Sequence, residues 1–236
     1  MPKRNAAAVF NRAKAPTIAC IDLAQTPLGV DLGRLVRALQ KFVDDHFAPV
    51  WGTPAKLVKA THPPRGAWVL VFLESADPRH AKAFGYHKPF FGAYGYPVAK
   101  VFVRSIRENE ESVSLVASHE LAEMLVDPGG NLWSPDRSKK IFYAYEVCDA
   151  VEEEKFKIDG LEMSDFVYPA YYEAFRKRKS VQFDHLKKIT RPFQVLTGGY
   201  AIARKRGKVI TIHGSKAKRR RFAKEDRRQH RTEAMR

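Results

Sequence analysis

The segment SLVASHELAEMLVDPGG, residues 114–130, carries His119, Glu120 and Glu123 in the pattern H-E-x-x-E. In an α-helix, side chains four positions apart project from the same face, so His119 and Glu123 can reach one ion. Imidazole nitrogen and carboxylate oxygen are both ligands of zinc. In H-E-x-x-H zinc hydrolases the glutamate at the position of Glu120 activates a metal-bound water instead of binding the metal. The spacing therefore predicts one divalent metal ion, zinc by analogy, with Glu120 as the catalytic base.

A third ligand must come from elsewhere, because catalytic zinc sites normally have three protein ligands. In one large group of zincins this ligand is a glutamate that lies beyond the helix and is brought back by the fold. That arrangement favours Glu146, with Asp149 orienting a histidine through its free ring N–H. Asp149 as the ligand itself is the nearest alternative. Asp127, His87 and His185 are further candidates.

Glu123 stands where the zinc hydrolases have their second histidine. A site of one imidazole and two carboxylates is neutral with a divalent ion, so the ion lowers the pKa of its water less than in three-histidine sites. More carboxylate also relaxes selectivity towards harder ions such as Mn²⁺. A slow hydrolase, a hydrolase with another metal and a structural metal site therefore remain open. The alternative without metal is an ordinary i,i+4 pair, worth a few tenths of a kcal/mol.

The periodicity of apolar residues predicts the elements that position this motif. A helix is predicted over about residues 32–47, with Asp31 as its N-cap and Pro49 marking its end. A second helix runs from about Ser112 to Val126 and stops at Asp127-Pro128-Gly129-Gly130. Strands are predicted within residues 16–24, 55–64, 66–75, 98–105 and 141–154, followed from residue 193 by three short strands with turns at Gly198-Gly199 and 205–207.

This order of elements predicts an α+β fold, a packed sheet with a backing helix and the motif-bearing helix beneath it. Residues 96–103, YPVAKVFV, are placed to form the edge strand on which zincins hold an extended substrate, with an ordinary half-buried strand as the equal alternative. The aromatic segment 84–96 is expected mainly to pack a loop onto the body. Tyr86 and Tyr94 within it are candidates to stabilise an oxyanion near a metal.

The net charge of +16 is concentrated at one end of the chain. Residues 176–236 hold 21 of the 42 Lys and Arg but only 4 of the 26 Asp and Glu, a net charge of +17, whereas residues 1–175 carry −1. Such a segment neutralises phosphates and binds nucleic acid with steep salt dependence and no sequence readout. A solvated tail that binds any polyanion is the alternative. The candidate nucleic-acid-binding residues are Lys216, Lys218, Arg219, Arg220, Arg221, Arg227 and Arg228.

Composition limits the remaining classes of function. Hydrophobic residues make up 44% and aromatic residues 11%, enough for a buried core. The two cysteines give neither a disulfide framework nor a zinc ribbon and fit a reducing interior. Charges interrupt the N-terminal apolar run, and no apolar run is long enough to span a bilayer. A soluble protein, cytoplasmic at synthesis and without a membrane partner, is therefore expected. The chain has no phosphate loop and no G-x-S-x-G motif.

Five blocks occur in order between about residues 17 and 200: FVDDHFAPVWG, GYHKPFFGAYGYPVAKVFV, SHELAEMLVDP, NLW and YEVCDAVE…SDFVYPAYY. Together they resemble a family of little-characterised bacterial and phage-encoded proteins that are regarded as zincin-like, with an H-E-x-x-E core. The resemblance implies a zincin-like α+β fold and a metallohydrolase of the peptidase type. It implies neither a substrate nor a third ligand. The chain lacks the second histidine of established zincins and any H-x-x-G-x-x-H extension.

The predicted divisions are a flexible basic arm (1–15), a zincin-like domain (16–192), a β-meander packed on or appended to it (193–214) and a basic tail (215–236). The first predicted function is metal-dependent hydrolysis of a peptide or protein. The second is a structural or nucleic-acid-associated role, for example in a phage particle, with a zincin-derived scaffold and a tail that contacts DNA or RNA. A virion location, as part of a larger assembly, is expected if the protein is phage-encoded.

Overall fold

The computed structural model describes residues 15–76, 84–88 and 96–216, which form a mixed α+β fold with several sheets and few helices. The strands of the first sheet are β1 (Thr17–Asp22), β2 (Lys56–Lys59), β3 (Trp68–Leu73), β4 (Gly85–Lys88) and β5 (Val98–Phe102). Their order is β2-β1-β3-β5-β4, in which the first four are parallel and β4 is antiparallel to β5. The nearly continuous apolar run of β3 is buried on both faces, as is usual for a central parallel strand.

The prediction that residues 96–103 form the edge strand is wrong. β5 pairs with β3 on one side and with β4 on the other, so among the strands described β4 occupies this edge. The error has a physical cause, since the order of strands is set by pairing between distant segments and not by local alternation of apolar residues. The difference matters for the site, because the edge strand β4 carries the candidate ligand His87.

The helix predicted over residues 32–47 is confirmed. It comprises α1 (Leu32–Lys41), a π-helical segment (Phe42–Phe47) and the short α2 (Ala48–Trp51). The Asp31 side chain caps α1 by accepting a hydrogen bond of 2.8 Å from the Arg34 backbone N–H. Pro49 does not end the helix, because it lies in the first turn of α2, where its missing N–H is not needed. Gly52 ends the helix in the left-handed conformation, with φ of 70°.

The predicted motif helix is also confirmed. The two helices that follow β5 are α3 (Val103–Glu108) and α4 (Val113–Val126), and α4 contains the motif. Ser112 precedes α4 in an extended conformation and Asp127 follows it. Ten of the 14 residues of α4 are buried, as is typical of a helix between two layers. Its charged side chains are therefore held away from water.

The remaining strands form a second sheet and a separate hairpin. They are β6 (Trp133–Asp136), β7 (Ile141–Ala144), β8 (Lys155–Ile158), β9 (Leu161–Ser164), β10 (Tyr200–Lys205) and β11 (Lys208–His213). The second sheet is antiparallel with order β11-β10-β7-β6, while β8 and β9 form a separate hairpin that packs on α4 through β9. Two 3-10 helices, Asp149–Val151 and Pro169–Tyr172, complete the described elements.

The three-stranded meander predicted from residue 193 is a two-stranded hairpin. Residues 193–199 form no strand. Phe193 has a positive φ of 53° and stacks on Tyr143 with ring centroids 4.4 Å apart, so packing holds this stretch out of the sheet. The turn between β10 and β11 is as predicted, since Arg206 and Gly207 both have positive φ, the requirement of a tight two-residue hairpin turn. β10 pairs with β7, which makes the hairpin part of the second sheet.

One large apolar cluster joins these layers. It combines α1, the face of the first sheet that carries Ile18, Leu70 and Ala99, helix α4 and residues of the second sheet. A smaller cluster covers the opposite face of the first sheet. Motif helix and sheet therefore meet in a closely packed interior, from which water is largely excluded. None of the helices in the described ranges is long and apolar enough to cross a membrane.

Candidate metal centre

Helix α4 places the three motif residues together in the interior. Glu120 and Glu123 are 7% and 4% exposed, and the His119 side chain is 15% exposed. His119 Nε2 lies 3.4 Å from Glu123 Oε1, as one helical turn requires. The surface-helix alternative does not fit this burial, because a solvated i,i+4 pair would not need to remove two carboxylates from water.

A first donor group consists of His119, Glu123 and Asp149. Asp149 begins the 3-10 helix that follows β7, and its Oδ1 lies 3.4 Å from His119 Nε2. The preceding backbone N–H, that of Cys148, donates a hydrogen bond of 3.2 Å to Glu123 Oε1. One ligand atom from each of the three residues lies within 4.8 Å of the others, so the group could hold a metal ion.

A second donor group consists of His87, Glu123 and Glu146, with the same 4.8 Å limit on the spacing of its ligand atoms. His87 is contributed by β4, and its Nδ1 lies 3.7 Å from Glu123 Oε2. Its other nitrogen, Nε2, lies 3.9 Å from Glu146 Oε2. The backbone carbonyl of Glu146 accepts a hydrogen bond of 3.1 Å from the Tyr172 hydroxyl, which helps to fix the loop after β7. All three side chains of this group are buried.

Glu120 lies against the edge strand. Its Oε2 is 3.8 Å from His87 Nδ1, is buried, and accepts no hydrogen bond within the part of the chain that is described. The remainder of the side chain contacts the backbone of Gly85, where a Cβ atom would lie only 2.7 Å from both Glu120 Cγ and Oε1. A glycine at position 85 thus gives the carboxylate its space beside β4.

The charges of the two groups are strongly coupled. Burial lowers the pKa of His87, but the adjacent Glu120 carboxylate and the charges of Glu146 and Glu123 outweigh burial and raise it to about 9. Burial raises the pKa of Glu123 to about 8, against the opposing effect of His119. The pKa of His119 lies well above its ordinary value, because Glu123 and the other nearby groups outweigh its burial. The interior thus holds more negative groups than it can easily keep ionised.

Two other ligand candidates from the sequence, Asp127 and His185, lie outside both groups. Asp127 ends α4, and its two oxygens accept hydrogen bonds from the backbone N–H groups of Asn131 and Leu132. His185 stacks on Phe166 with ring centroids 5.0 Å apart and contacts His46 and Tyr168, and burial lowers its pKa to about 4.

Tyr86 points away from the centre. Its hydroxyl accepts a hydrogen bond of 3.2 Å from Lys100, and its ring packs on Phe102. Neighbouring residues of a strand point to opposite faces, so this contact puts Tyr86 on the face of β4 opposite to His87. Tyr94, the other oxyanion candidate, lies outside the described residues.

The predicted nucleic-acid contacts fall almost entirely outside the described residues. Lys216 is the last residue described and is exposed. The remaining six lie beyond it: Lys218, Arg219, Arg220, Arg221, Arg227 and Arg228. The predicted basic arm, 1–15, is described only at Ala15.

Two contributions were underestimated from the sequence. His87 ranked behind Glu146 and Asp149, and Cys148 had no predicted role, although its backbone N–H bonds to Glu123. The available signal for His87 was its place two residues after Gly85, on the same face of a strand. The segment GYHK is a strand that lies beside α4. The local sequence pattern predicts neither the strand nor its position.

Comparison with protein-family models found no matching model, and comparisons with curated proteins and with solved structures found no match either. The chemistry of the centre therefore has to be judged from its own residues. Imidazole nitrogens and carboxylate oxygens are ordinary ligands of divalent ions, and here they converge in a buried space with an oxygen of Glu120 that lacks a hydrogen bond. These residues fit a divalent metal ion.

Proposed function

We propose that this protein is a metal-dependent hydrolase of the peptidase type, with a zincin-like arrangement of helix and sheet. The observation that carries the proposal is the convergence of His119, Glu123 and Asp149, two of them from the motif helix and one from a distant segment. In this proposal Asp149 takes the position of third ligand. Glu146, favoured by sequence reasoning, faces His87 on the other side of Glu123.

A bound ion would supply Lewis acidity, which acidifies water and polarises a carbonyl group. Glu120 would act as general base, accepting the proton of the attacking water and passing it to the leaving amine. Its carboxylate is buried beside the two donor groups, and its Oε2 is not occupied by a hydrogen bond from the described residues. A base kept free of such bonds is available to take up a proton.

The edge strand supports a peptide as substrate. β4 runs antiparallel to β5, and in the described part of the chain no strand pairs with its outer side. An extended peptide can add to such an edge through backbone hydrogen bonds, which hold it independently of most side chains. His87 and Gly85 on the same strand contact the motif carboxylates, so a peptide on this edge would pass close to the centre.

Metal content tests the binding part of the proposal. Purified wild-type protein should hold at least one divalent ion per chain, and His119→Ala should bind one fewer. His62→Ala is the matched control, because His62 is exposed and bonds only locally to Thr61. Elemental analysis after dialysis measures the content. A wild-type protein without metal, or an unchanged content in His119→Ala, would contradict the proposal.

The role of Glu120 tests the catalytic part. Glu120→Gln should retain the ion held by His119 but lose hydrolysis of a quenched fluorescent peptide library by about 10²–10⁴-fold, the usual contribution of a general base. Glu108→Gln, an exposed change at the end of α3, should cleave at the wild-type rate. Cleavage by Glu120→Gln at the wild-type rate would show that the proposed mechanism is wrong.

The charge distribution favours a second function, a nucleic-acid-associated role, which is compatible with the first. Residues 176–236 carry +17 on a body that is otherwise nearly neutral. Truncation after Gly214 should remove most DNA binding and flatten its dependence on salt, since each lost phosphate contact reduces the slope of log K against log salt by about 0.9. Fluorescence anisotropy over a salt series measures this slope. Unchanged binding by the truncated chain would refute the second function.

A further inference from the structure

We propose that the centre holds two divalent cations bridged by Glu123, one bound with His119 and Asp149 and the other with His87 and Glu146. The first ion is that of the proposed function, on which this inference rests. The second ion occupies the donor group that includes edge strand β4, a group that motif spacing did not predict.

The two oxygens of Glu123 face different partners. Oε1 lies 3.4 Å from His119 Nε2, and Oε2 lies 3.7 Å from His87 Nδ1. Glu123 is the one residue that belongs to both donor groups found among the described residues. A carboxylate that presents one oxygen to each of two imidazoles is arranged as a bridge, a role that a neutral imidazole with one free nitrogen does not fill. A bridging role thus explains why a glutamate, and not the second histidine of H-E-x-x-H, stands at position 123.

The balance of charge favours two ions over one. Four carboxylates meet here, all of them at most 7% exposed: Glu120, Glu123, Glu146 and Asp149. With neutral imidazoles, one divalent ion leaves two negative charges in the interior, whereas two divalent ions balance all four. Buried charge without a counter-charge is costly. The state with two ions, in which the buried charges sum to zero, is therefore favoured.

Glu120 supplies an independent indication. Its side chain is 9% exposed, and its Oε2, directed at His87 Nδ1 from 3.8 Å, accepts no hydrogen bond from the residues described. A cation beside His87 would supply a nearby positive charge for this buried oxygen, and Glu120 would remain the base of the proposed function. The complete set of two imidazoles and four carboxylates has the same composition as the di-iron and di-manganese carboxylate centres of helix bundles. Such a carboxylate-rich set favours Mn²⁺ or Fe²⁺ over zinc, especially at the second position.

Stoichiometry separates this inference from the proposed function. After loading with Mn²⁺ and removal of excess, wild-type full-length protein should bind two ions per chain. His87→Gln and Glu146→Gln should each bind one. The controls His62→Ala and Glu108→Gln, both at exposed positions, should bind two. One ion in wild type overturns the second site and leaves the proposed function standing, while no ion overturns both. Two ions in both site variants would place the second ion elsewhere and overturn the inference.

Electron paramagnetic resonance tests the bridge through the magnetic coupling of the two ions. As Mn²⁺ is added to wild-type protein, the six-line signal of isolated ions should weaken when the second equivalent binds, because ions bridged by one carboxylate are magnetically coupled. Glu146→Gln should show a single uncoupled Mn²⁺. Its circular dichroism spectrum should match wild type, since the substitution keeps the Glu146 backbone carbonyl that accepts the Tyr172 hydroxyl. Two uncoupled Mn²⁺ signals in wild type would overturn the bridge.

Discussion

Glu123 is the residue on which the chemistry of this protein depends. Sequence reasoning treated it as a weaker substitute for histidine. In the structure it contacts histidines on both sides and accepts the Cys148 backbone N–H, so it is the shared member of the two donor groups. The motif residues were predictable because i and i+4 face the same way in any helix. The partnership with His87 was not, because it depends on which strand pairs beside α4.

Gly85 offers a test of how closely Glu120 must be positioned. Gly85→Ala would place a Cβ atom 2.7 Å from Glu120 Cγ and Oε1, so the carboxylate has to move. Misplacement of a reacting group by about 1 Å can cost roughly 10²-fold in rate, and a loss of this order in peptide cleavage is expected. Metal content should stay at the wild-type level. Gly207→Ala, which strains a positive-φ turn but meets no atom within 4 Å, controls for a general loss of stability and should keep its activity. Full activity of Gly85→Ala would show that the contact does not position Glu120.

The buried carboxyl group of Asp165 should make the free energy of unfolding depend on pH, independently of the metal centre. Burial and the neighbouring Asp184 carboxylate raise the pKa of Asp165 to about 8. The folded state therefore holds a proton that the unfolded state releases near the ordinary value of 3.8, so the free energy of unfolding decreases as pH rises from about 4 to 8.

The substitution Asp165→Asn should remove this dependence. An amide oxygen can still accept the Phe166 and Leu186 backbone N–H groups, and the amide carries no charge. Asp165→Asn should therefore be more stable than wild type above pH 8, with the difference vanishing near pH 4. Urea unfolding of chelator-treated protein across this pH range measures it. Asp45→Asn, an exposed change, should follow wild type. A parallel decline in Asp165→Asn and wild type would contradict the prediction.

At the scale of elements, the sequence pattern correctly predicted features that neighbouring residues determine, such as helix ends and tight turns. The start of α1 follows from capping by Asp31, the end of α4 from the stop at Asp127-Pro128-Gly129-Gly130, and the β10–β11 turn from Arg206-Gly207. The position of the edge strand and the loss of a strand at residues 193–199 were not predictable. Both depend on contacts between segments far apart in sequence, such as the stacking of Phe193 on Tyr143.

Ser118, a buried serine of α4, links the helix to the β8–β9 hairpin, as does Ser114, whose Oγ donates to the Glu162 carbonyl. Ser118 Oγ donates to the Leu115 carbonyl and accepts the Ser164 backbone N–H at 2.8 Å. Ser118→Ala leaves that N–H buried without its partner, which should cost about 1–3 kcal/mol. Urea unfolding measures the loss. Ser105→Ala on α3, a partly exposed position, should change stability much less. An equal effect of the two substitutions would show that this hydrogen bond does not anchor the helix.

At the scale of the whole molecule, the centre lies where the two halves of the chain meet. The first sheet supplies His87, α4 supplies the motif, and the segment after β7 supplies Glu146 and Asp149. An ion bound here links three elements that are otherwise joined by packing and by the hydrogen bond from the Cys148 backbone N–H to Glu123. Binding to the folded state alone raises stability by about 2.7 kcal/mol when free metal is 100 times Kd.

Removal of metal should therefore lower Tm measurably, and restored metal should reverse the change. Differential scanning fluorimetry with and without a chelator gives the measurement. His119→Ala should respond less to the chelator than wild type, whereas His62→Ala should respond fully. If the chelator left the wild-type Tm unchanged, the ion would not link the elements in the folded state.

The separation of these donors along the chain also has a kinetic meaning. No single hairpin or helix contains a complete donor group, since each group combines α4 with at least one distant segment. The ligands therefore converge only after most long-range pairing has occurred, and such pairing is slow. Interactions formed after the transition state slow unfolding without accelerating folding. Metal should accordingly prolong the lifetime of the folded protein while leaving its refolding rate unchanged. The ion would stabilise the folded structure after it has formed and would not direct its folding.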